Sequence, residues 1–132
     1  MRGEAHTPSR STQVRDFSGL RYGNITPTDI DALIEYHNKG WVLIEVKLNG
    51  TPIQYGQKLA LERLCDDLQK TKPTILILAS HETEYSEAID FANCIVSGYR
   101  YCEKWYPETR NTTYIGDTVK RLVDYFLSEV IG

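Results

Sequence analysis

The stretch TDIDALIEYHNKGWVLIEVK, residues 28–47, decides how the rest of the chain is read. Two apolar runs, 30–36 and 41–48, flank His37-Asn38-Lys39-Gly40, which has the Asn and Gly that a tight hairpin connection uses. In the second run Val42, Ile44 and Val46 share one face of an extended strand, while Trp41, Leu43, Glu45 and Lys47 share the other. Apolar residues on both faces, then charge at one end, predict a central strand whose C-terminal end opens into a cleft. Antiparallel pairing would bring Asp29 and Asp31, at the start of the first strand, close to Glu45 and Lys47.

Working outward, Asn49-Gly50 ends the strand and a helix starts between 51 and 56. Thr51 and Gln54 have capping-box spacing and Pro52 suits a first helical position, but a start near Tyr55 fits equally, because it keeps Gly56 out of the interior. Leu61, Leu64, Cys65 and Leu68 continue an apolar stripe to about Lys70; Lys70 and Lys72 complement the helix dipole and Pro73 stops the helix. The continuous apolar run 74–79 reads as a strand covered on both faces. Strand, helix and strand at this spacing predict a right-handed βαβ unit with parallel strands, whose ligands favour the C-terminal strand ends.

Beyond it, 80–87 reads as a polar loop, 93–96 as a strand, Ser97-Gly98 as a turn and 99–105 as a further strand. Val119, Leu122, Val123, Phe126, Leu127 and Val130 keep helical spacing and predict an amphipathic helix that closes the domain. The expected fold class is α/β: a mixed central sheet with a β-hairpin, a βαβ unit and flanking helices.

With 132 residues the chain makes one domain, 13–132, behind a flexible arm at 1–12 that lacks periodicity. A short strand is conceivable at 13–17, before Gly19, Gly23 and Pro27 break the chain into turns. An apolar share of 41% against 25% charge suits a folded soluble protein. No apolar run nears the ~20 residues of a membrane helix, and no signal-peptide core is present, so a cytoplasmic setting without a membrane partner is expected. Cys65, Cys94 and Cys102 form no CxxC pair and read as reduced thiols. His6, His37 and His81 have no zinc spacing, no glycine-rich phosphate loop is present, and Ser80-His81-Glu82 lacks the elbow of a serine hydrolase.

The net charge of −3 neither suggests nor excludes nucleic acid, although a protein gripping many phosphates is usually more basic. Locally, Arg2, Arg10, Arg15 and Arg21 outnumber Glu4 and Asp16, which fits a solvated tail or contacts to backbone phosphates. Tyr99, Tyr101, Trp105 and Tyr106 either face the core as strand aromatics or stack on bases.

The chemistry turns on the carboxylates. Two of them a few ångströms apart repel, and they need a cation or a shared proton. Mg²⁺ suits such a pair, because it takes one or two carboxylates and keeps waters for a substrate phosphate. A lysine alongside stabilises negative charge or orients the attacking water, so the set supports metal-assisted displacement at phosphorus. The plainer reading makes Asp29, Asp31, Glu45 and Lys47 solvated residues at a sheet end, with a surface pair of little worth.

Asp31, the apolar run after it and Ile44-Glu45-Val46-Lys47 resemble the core motif of the PD-(D/E)xK nuclease superfamily: an Asp, a hairpin, (D/E)-x-K on the next strand, then a helix and a further strand. The likeness spans residues 26–79. It implies a restriction-endonuclease-like fold and a Mg²⁺-dependent DNA nuclease, with Mn²⁺ as an alternative cation. By the same resemblance Asp31 and Glu45 hold the metal, with Val46 and Asp29 as further metal contacts, and Lys47 is the catalytic lysine. Gln57 resembles the Gln that many members place beside this site, and Tyr55, Lys58, Arg15 and Arg21 are the expected DNA contacts. Members usually begin with a helix carrying a Glu, and none is legible before Thr26. The size is closer to junction resolvases and phage-type recombination and repair nucleases than to large restriction enzymes, and it implies a homodimer to grip DNA. The different-class alternatives are a non-catalytic nucleic-acid- or protein-binding module with the same fold, and a structural accessory protein.

Overall fold

A computed structural model describes residues 14–107 and 114–132; the 1–12 arm, with Arg2, Glu4, His6 and Arg10, lies outside them. At the centre is the hairpin of β1 (Ala32–Tyr36) and β2 (Gly40–Leu48), paired antiparallel from Ala32↔Ile44 to Tyr36↔Gly40. His37 and Asn38 both take left-handed backbone, with φ of 51° and 60°, and the Lys39 N–H donates to the Tyr36 carbonyl at 2.8 Å. The strands therefore reverse through the turn geometry that matches their twist. β1 starts at Ala32 rather than at Ile30, because the Asp31 carboxylate takes the Val46 N–H (2.8 Å) and ends the backbone ladder.

β2 leads through α1 (Tyr55–Gln69) to β3 (Thr74–His81), which pairs parallel with β2 from Trp41↔Thr74 to Leu48↔His81. α1 takes the later of the two expected starts: Gln54 is the N-cap, and Thr51 and Pro52 stay in the loop. β4 (Ile95–Tyr101) pairs antiparallel with β3, and β5 (Lys104–Tyr106) with β4, so the five strands of this mixed sheet lie in chain order. α2 (Val119–Tyr125) follows, capped by the Thr118 hydroxyl, which accepts from the Arg121 N–H at 3.3 Å; it runs on as a π-helical turn, Phe126–Ile131. The fold is α/β.

Three local expectations are corrected. Ser80 and His81 belong to β3 and not to a loop, because they pair with Lys47 and Leu48. Ser97-Gly98 does not turn. Leu78 pairs with Gly98 and Ala79 with Val96, which leaves Ser97 as the extra residue of a bulge inside β4. A Cβ on Gly98 would stand 3.1 Å from the Tyr106 carbonyl oxygen, so this glycine marks a close backbone approach rather than a reversal. The reversal comes at Cys102 and Glu103, with φ of 51° and 65°. Residues 14–17 form no strand: Val14 is 93% exposed and pairs with no strand among the described residues, and a 3₁₀ turn, Ser18–Leu20, follows.

Period-two alternation sorts β2 and β3 onto two faces. On one, Val42, Ile44, Val46, Ile75, Ile77 and Ala79 meet Val119, Leu122, Val123 and Phe126 in the larger core. On the other, Leu43 and Leu76 meet Leu61 and Cys65 of α1. Leu64 of the expected stripe is 37% exposed. The aromatics pack internally: Tyr99 stacks on Tyr106 with centroids 4.9 Å apart, and Tyr101 lies edge-on to Phe126. Cys65, Cys94 and Cys102 are free thiols. Among the described residues no helix is long and apolar enough to cross a membrane.

Candidate active site

Glu45, the sixth of the nine residues of β2, is only 2% exposed, although nothing in its chemistry favours that. Its position follows from the alternation of β2: it shares the α1 face with Leu43, between the sheet and the first turn of the helix. Lys47 lies two residues on, and its Nζ is 3.3 Å from Glu45 Oε2. From α1, the Gln57 side-chain amide donates to the same oxygen at 2.7 Å. Oε2 thus has two donors. Oε1 is buried and has no partner among the described residues.

Extending the hairpin register one step from Ala32↔Ile44 sets Asp31 opposite Glu45. Asp31 Oδ2 is held by the Val46 N–H, so the second carboxylate is fixed by the strand that carries the first. Burial is the main force pushing the Glu45 carboxyl above the ordinary carboxylate range; the Asp31 charge adds to it, and the Lys47 and Gln57 contacts oppose it. A buried acceptor without a partner costs about 1–3 kcal/mol, and more when charged. Such an atom calls for a proton or a cation.

The site opens at the C-terminal ends of the parallel pair β2–β3. A cleft of about 480 Å³ there is lined by Glu45, Lys47, Asn49, Thr51, Ser80 and Ser97, among others. This is the strand end at which sheets of this kind hold ligands. The donor set fits Mg²⁺ or Mn²⁺ in kind: two carboxylates, with room alongside for water and phosphate. Among the described residues no three His, Cys, Asp or Glu side chains gather as a metal-holding group; Asp31 and Glu45 are two carboxylates that lie close enough to interact.

The remaining candidates divide. Asp29 does not join Glu45; its Oδ2 pairs with Arg15 Nη2 at 3.0 Å on an exposed surface. Val46 points its side chain into the larger core, which leaves its backbone carbonyl as the only oxygen it has to offer. Tyr55 is 80% exposed at the start of α1. Lys58 lies over the Trp105 ring, 4.7 Å from its centroid, and Arg21 Nε donates to the Gly23 carbonyl within its own turn. Before β1 the described chain has a 3₁₀ turn and the Tyr22↔Ile25 bridge in place of a Glu-bearing helix.

Sequence reasoning missed Ser80, Ser97 and Arg63. The first two reach the cleft only through the length of β3 and the bulge of β4, which no local pattern announces. Arg63 lines a groove next to Gln57. Its signal was legible, since it falls seven residues after Gly56 on one helical stripe. Comparison of the chain with protein-family models, with curated proteins and with solved structures finds no match in any of the three.

Proposed function

We propose that the chain is a Mg²⁺-dependent nuclease that hydrolyses DNA phosphodiester bonds, with a restriction-endonuclease-like architecture. The observation that carries this reading is the buried Glu45 carboxylate, fixed through Oε2 by Lys47 and Gln57 and left open at Oε1 beside Asp31. The order hairpin, helix, parallel strand also agrees with the motif arrangement that the resemblance implies.

In this reading Asp31 and Glu45 hold the cation, with the Val46 backbone carbonyl as a further contact. When bound, Mg²⁺ or Mn²⁺ supplies Lewis acidity at a phosphoryl oxygen and eases deprotonation of the attacking water. Lys47 places a positive charge beside the phosphate, where negative charge grows as the bond breaks. Gln57 positions Glu45 by locking Oε2, which leaves the buried Oε1 as the oxygen without a partner among the described residues. A homodimer in a cytoplasmic setting completes the proposal.

The test incubates labelled linear, branched and single-stranded DNA with the protein in Mg²⁺ or Mn²⁺, alongside Lys47→Ala and Asp31→Asn. The reading expects metal-dependent cleavage that each substitution lowers by about 10²-fold or more. Absence of cleavage on every substrate sinks it. The second reading, a binding module with this fold and no working site, draws on the fact that only two carboxylates converge among the described residues. It predicts DNA or protein binding without cleavage.

A further inference from the structure

The Glu45 cleft occupies one side of the α1 N-terminus. On the other side lies a groove of about 640 Å³, walled by residues 24–29 and by Gly56, Leu59, Ala60 and Arg63 of α1. Those four fall at i, i+3, i+4 and i+7, one stripe of the helix. Gln57 also lines the groove while its amide holds Glu45 Oε2, so one side chain joins the groove to the candidate site.

The stripe is open at Gly56, where an ordinary exposed helix would carry a side chain. A Cβ on Gly56 would meet nothing within 4 Å, so packing does not demand glycine there, and glycine is a poor helix former. Its effect is to leave the groove floor clear for close approach. Tyr55, its neighbour at the helix start, is 80% exposed. Arg63 is exposed and has no hydrogen-bond or ion-pair partner among the described residues. The acid on the facing wall, Asp29, is already paired with Arg15 at 3.0 Å. The groove's uncompensated charge is therefore a cation.

We propose that this groove holds a single-stranded DNA segment leading to the bond to be cut, with Arg63 on a phosphate and Tyr55 stacked on a base. The proposal rests on the nuclease reading of the Glu45 site and adds the substrate class. Duplex grip depends on neutralising many phosphates, and this chain carries 15 Lys and Arg against 18 Asp and Glu. An unpaired strand asks for less charge and offers base faces to an open aromatic and an apolar floor. The groove supplies the charge through Arg63 and the apolar floor through Leu59 and Ala60, and exposed Tyr55 stands beside it at the helix start.

The experiment titrates the full chain in EDTA, so that binding is read without cleavage, against fluorescein-labelled oligothymidine of about 12 nucleotides and a duplex of equal length, by anisotropy. The single strand is expected to bind about tenfold more tightly than the duplex, with Arg63→Glu and Tyr55→Ala each weakening it by about tenfold. Gly56→Leu is expected to weaken it comparably while the melting temperature holds or rises, because leucine is the better helix former and has room. A purely structural glycine would show the opposite pattern. Duplex binding as tight as single-strand binding, or single-strand binding indifferent to Arg63→Glu and Gly56→Leu, overturns the assignment. The two proposals fail separately. A chain that binds single strands through this groove and cuts nothing refutes the nuclease reading and leaves the groove standing. A chain that cuts duplex DNA without regard to these residues does the reverse.

Discussion

The two faces of the sheet solve different problems. The face under α2 is apolar throughout: Val42, Ile44 and Val46 of β2 and Ile75, Ile77 and Ala79 of β3 pack on Leu122, Val123 and Phe126. The face under α1 has a smaller apolar cluster around Leu43, Leu61, Cys65 and Leu76, and it also buries charge. There Arg100 makes a two-point contact with Asp66 at 2.8 and 2.7 Å, while Glu45 keeps one oxygen unpartnered. One face supplies stability, and the other gives some of it up to hold charged groups in place. Within the α1 face, the satisfied pair is structural and the unsatisfied carboxylate is the chemical candidate.

Phe126→Ala gives the largest expected effect. Removing this buried ring from the α2 face should cost about 4 kcal/mol in denaturant unfolding. A loss below about 2 kcal/mol would mean that the two faces share the load more evenly than their packing implies. Asp66→Ala comes next, at about 3 kcal/mol, because it strands the Arg100 guanidinium, whose side chain is only 10% exposed. Glu45→Gln should break the pattern. In metal-free buffer it should leave the melting temperature unchanged or higher, while metal-dependent cleavage is lost. A destabilisation as large as that of Asp66→Ala would make Glu45 an ordinary structural ion-pair member.

The pH dependence sharpens the same contrast. The folded protein holds the Glu45 proton to higher pH than the unfolded chain does, since burial and then Asp31 raise its pKa. The stability this confers is complete below the unfolded carboxylate pKa and is lost as pH rises through the raised folded value. Metal-free melting temperatures taken from about pH 4 upward should therefore contain a falling component that Glu45→Gln lacks. A bound cation should shrink it by taking the proton's place. The thiols sort by face exposure as well. Burial pushes the Cys65 thiol up to about 12, and burial also raises Cys94, so a disulfide reagent should label Cys102 in the native protein and all three thiols after unfolding. Asp29→Asn has the smallest expected effect, within about 0.5 kcal/mol, because it removes only an exposed pair with Arg15. Cleavage equal to wild type in this variant, against loss in Asp31→Asn, would assign the second carboxylate.

The hairpin, the βαβ order and the closing helix were legible because each rests on local periodicity. Alternation in β2 places Glu45 and Lys47 together whatever the rest of the chain does, and Gln57, expected beside them from the resemblance, reaches Glu45 from α1. The choice between Asp29 and Asp31 was not legible, because it depends on where β1 ends, and a side-chain contact to Val46 sets that end. The β4–β5 region misled for a related reason. Gly98 serves a close approach to the Tyr106 carbonyl, and the true turn uses Cys102 and Glu103, neither of them a usual turn residue. Burial of Glu45 depends on α1 lying across it, a tertiary fact that no window of sequence contains.

The hydrogen bond from the Val46 N–H to Asp31 has one more consequence. A carboxylate occupies the last rung of a backbone ladder, so whatever changes its charge also changes one amide. Cation binding at Asp31 should move the Val46 amide resonance and its solvent-exchange rate, while the amides of Val42 and Ile44 stay put. The molecule thus carries its own reporter of site occupancy, readable by magnetic resonance without substrate, turnover or any added label.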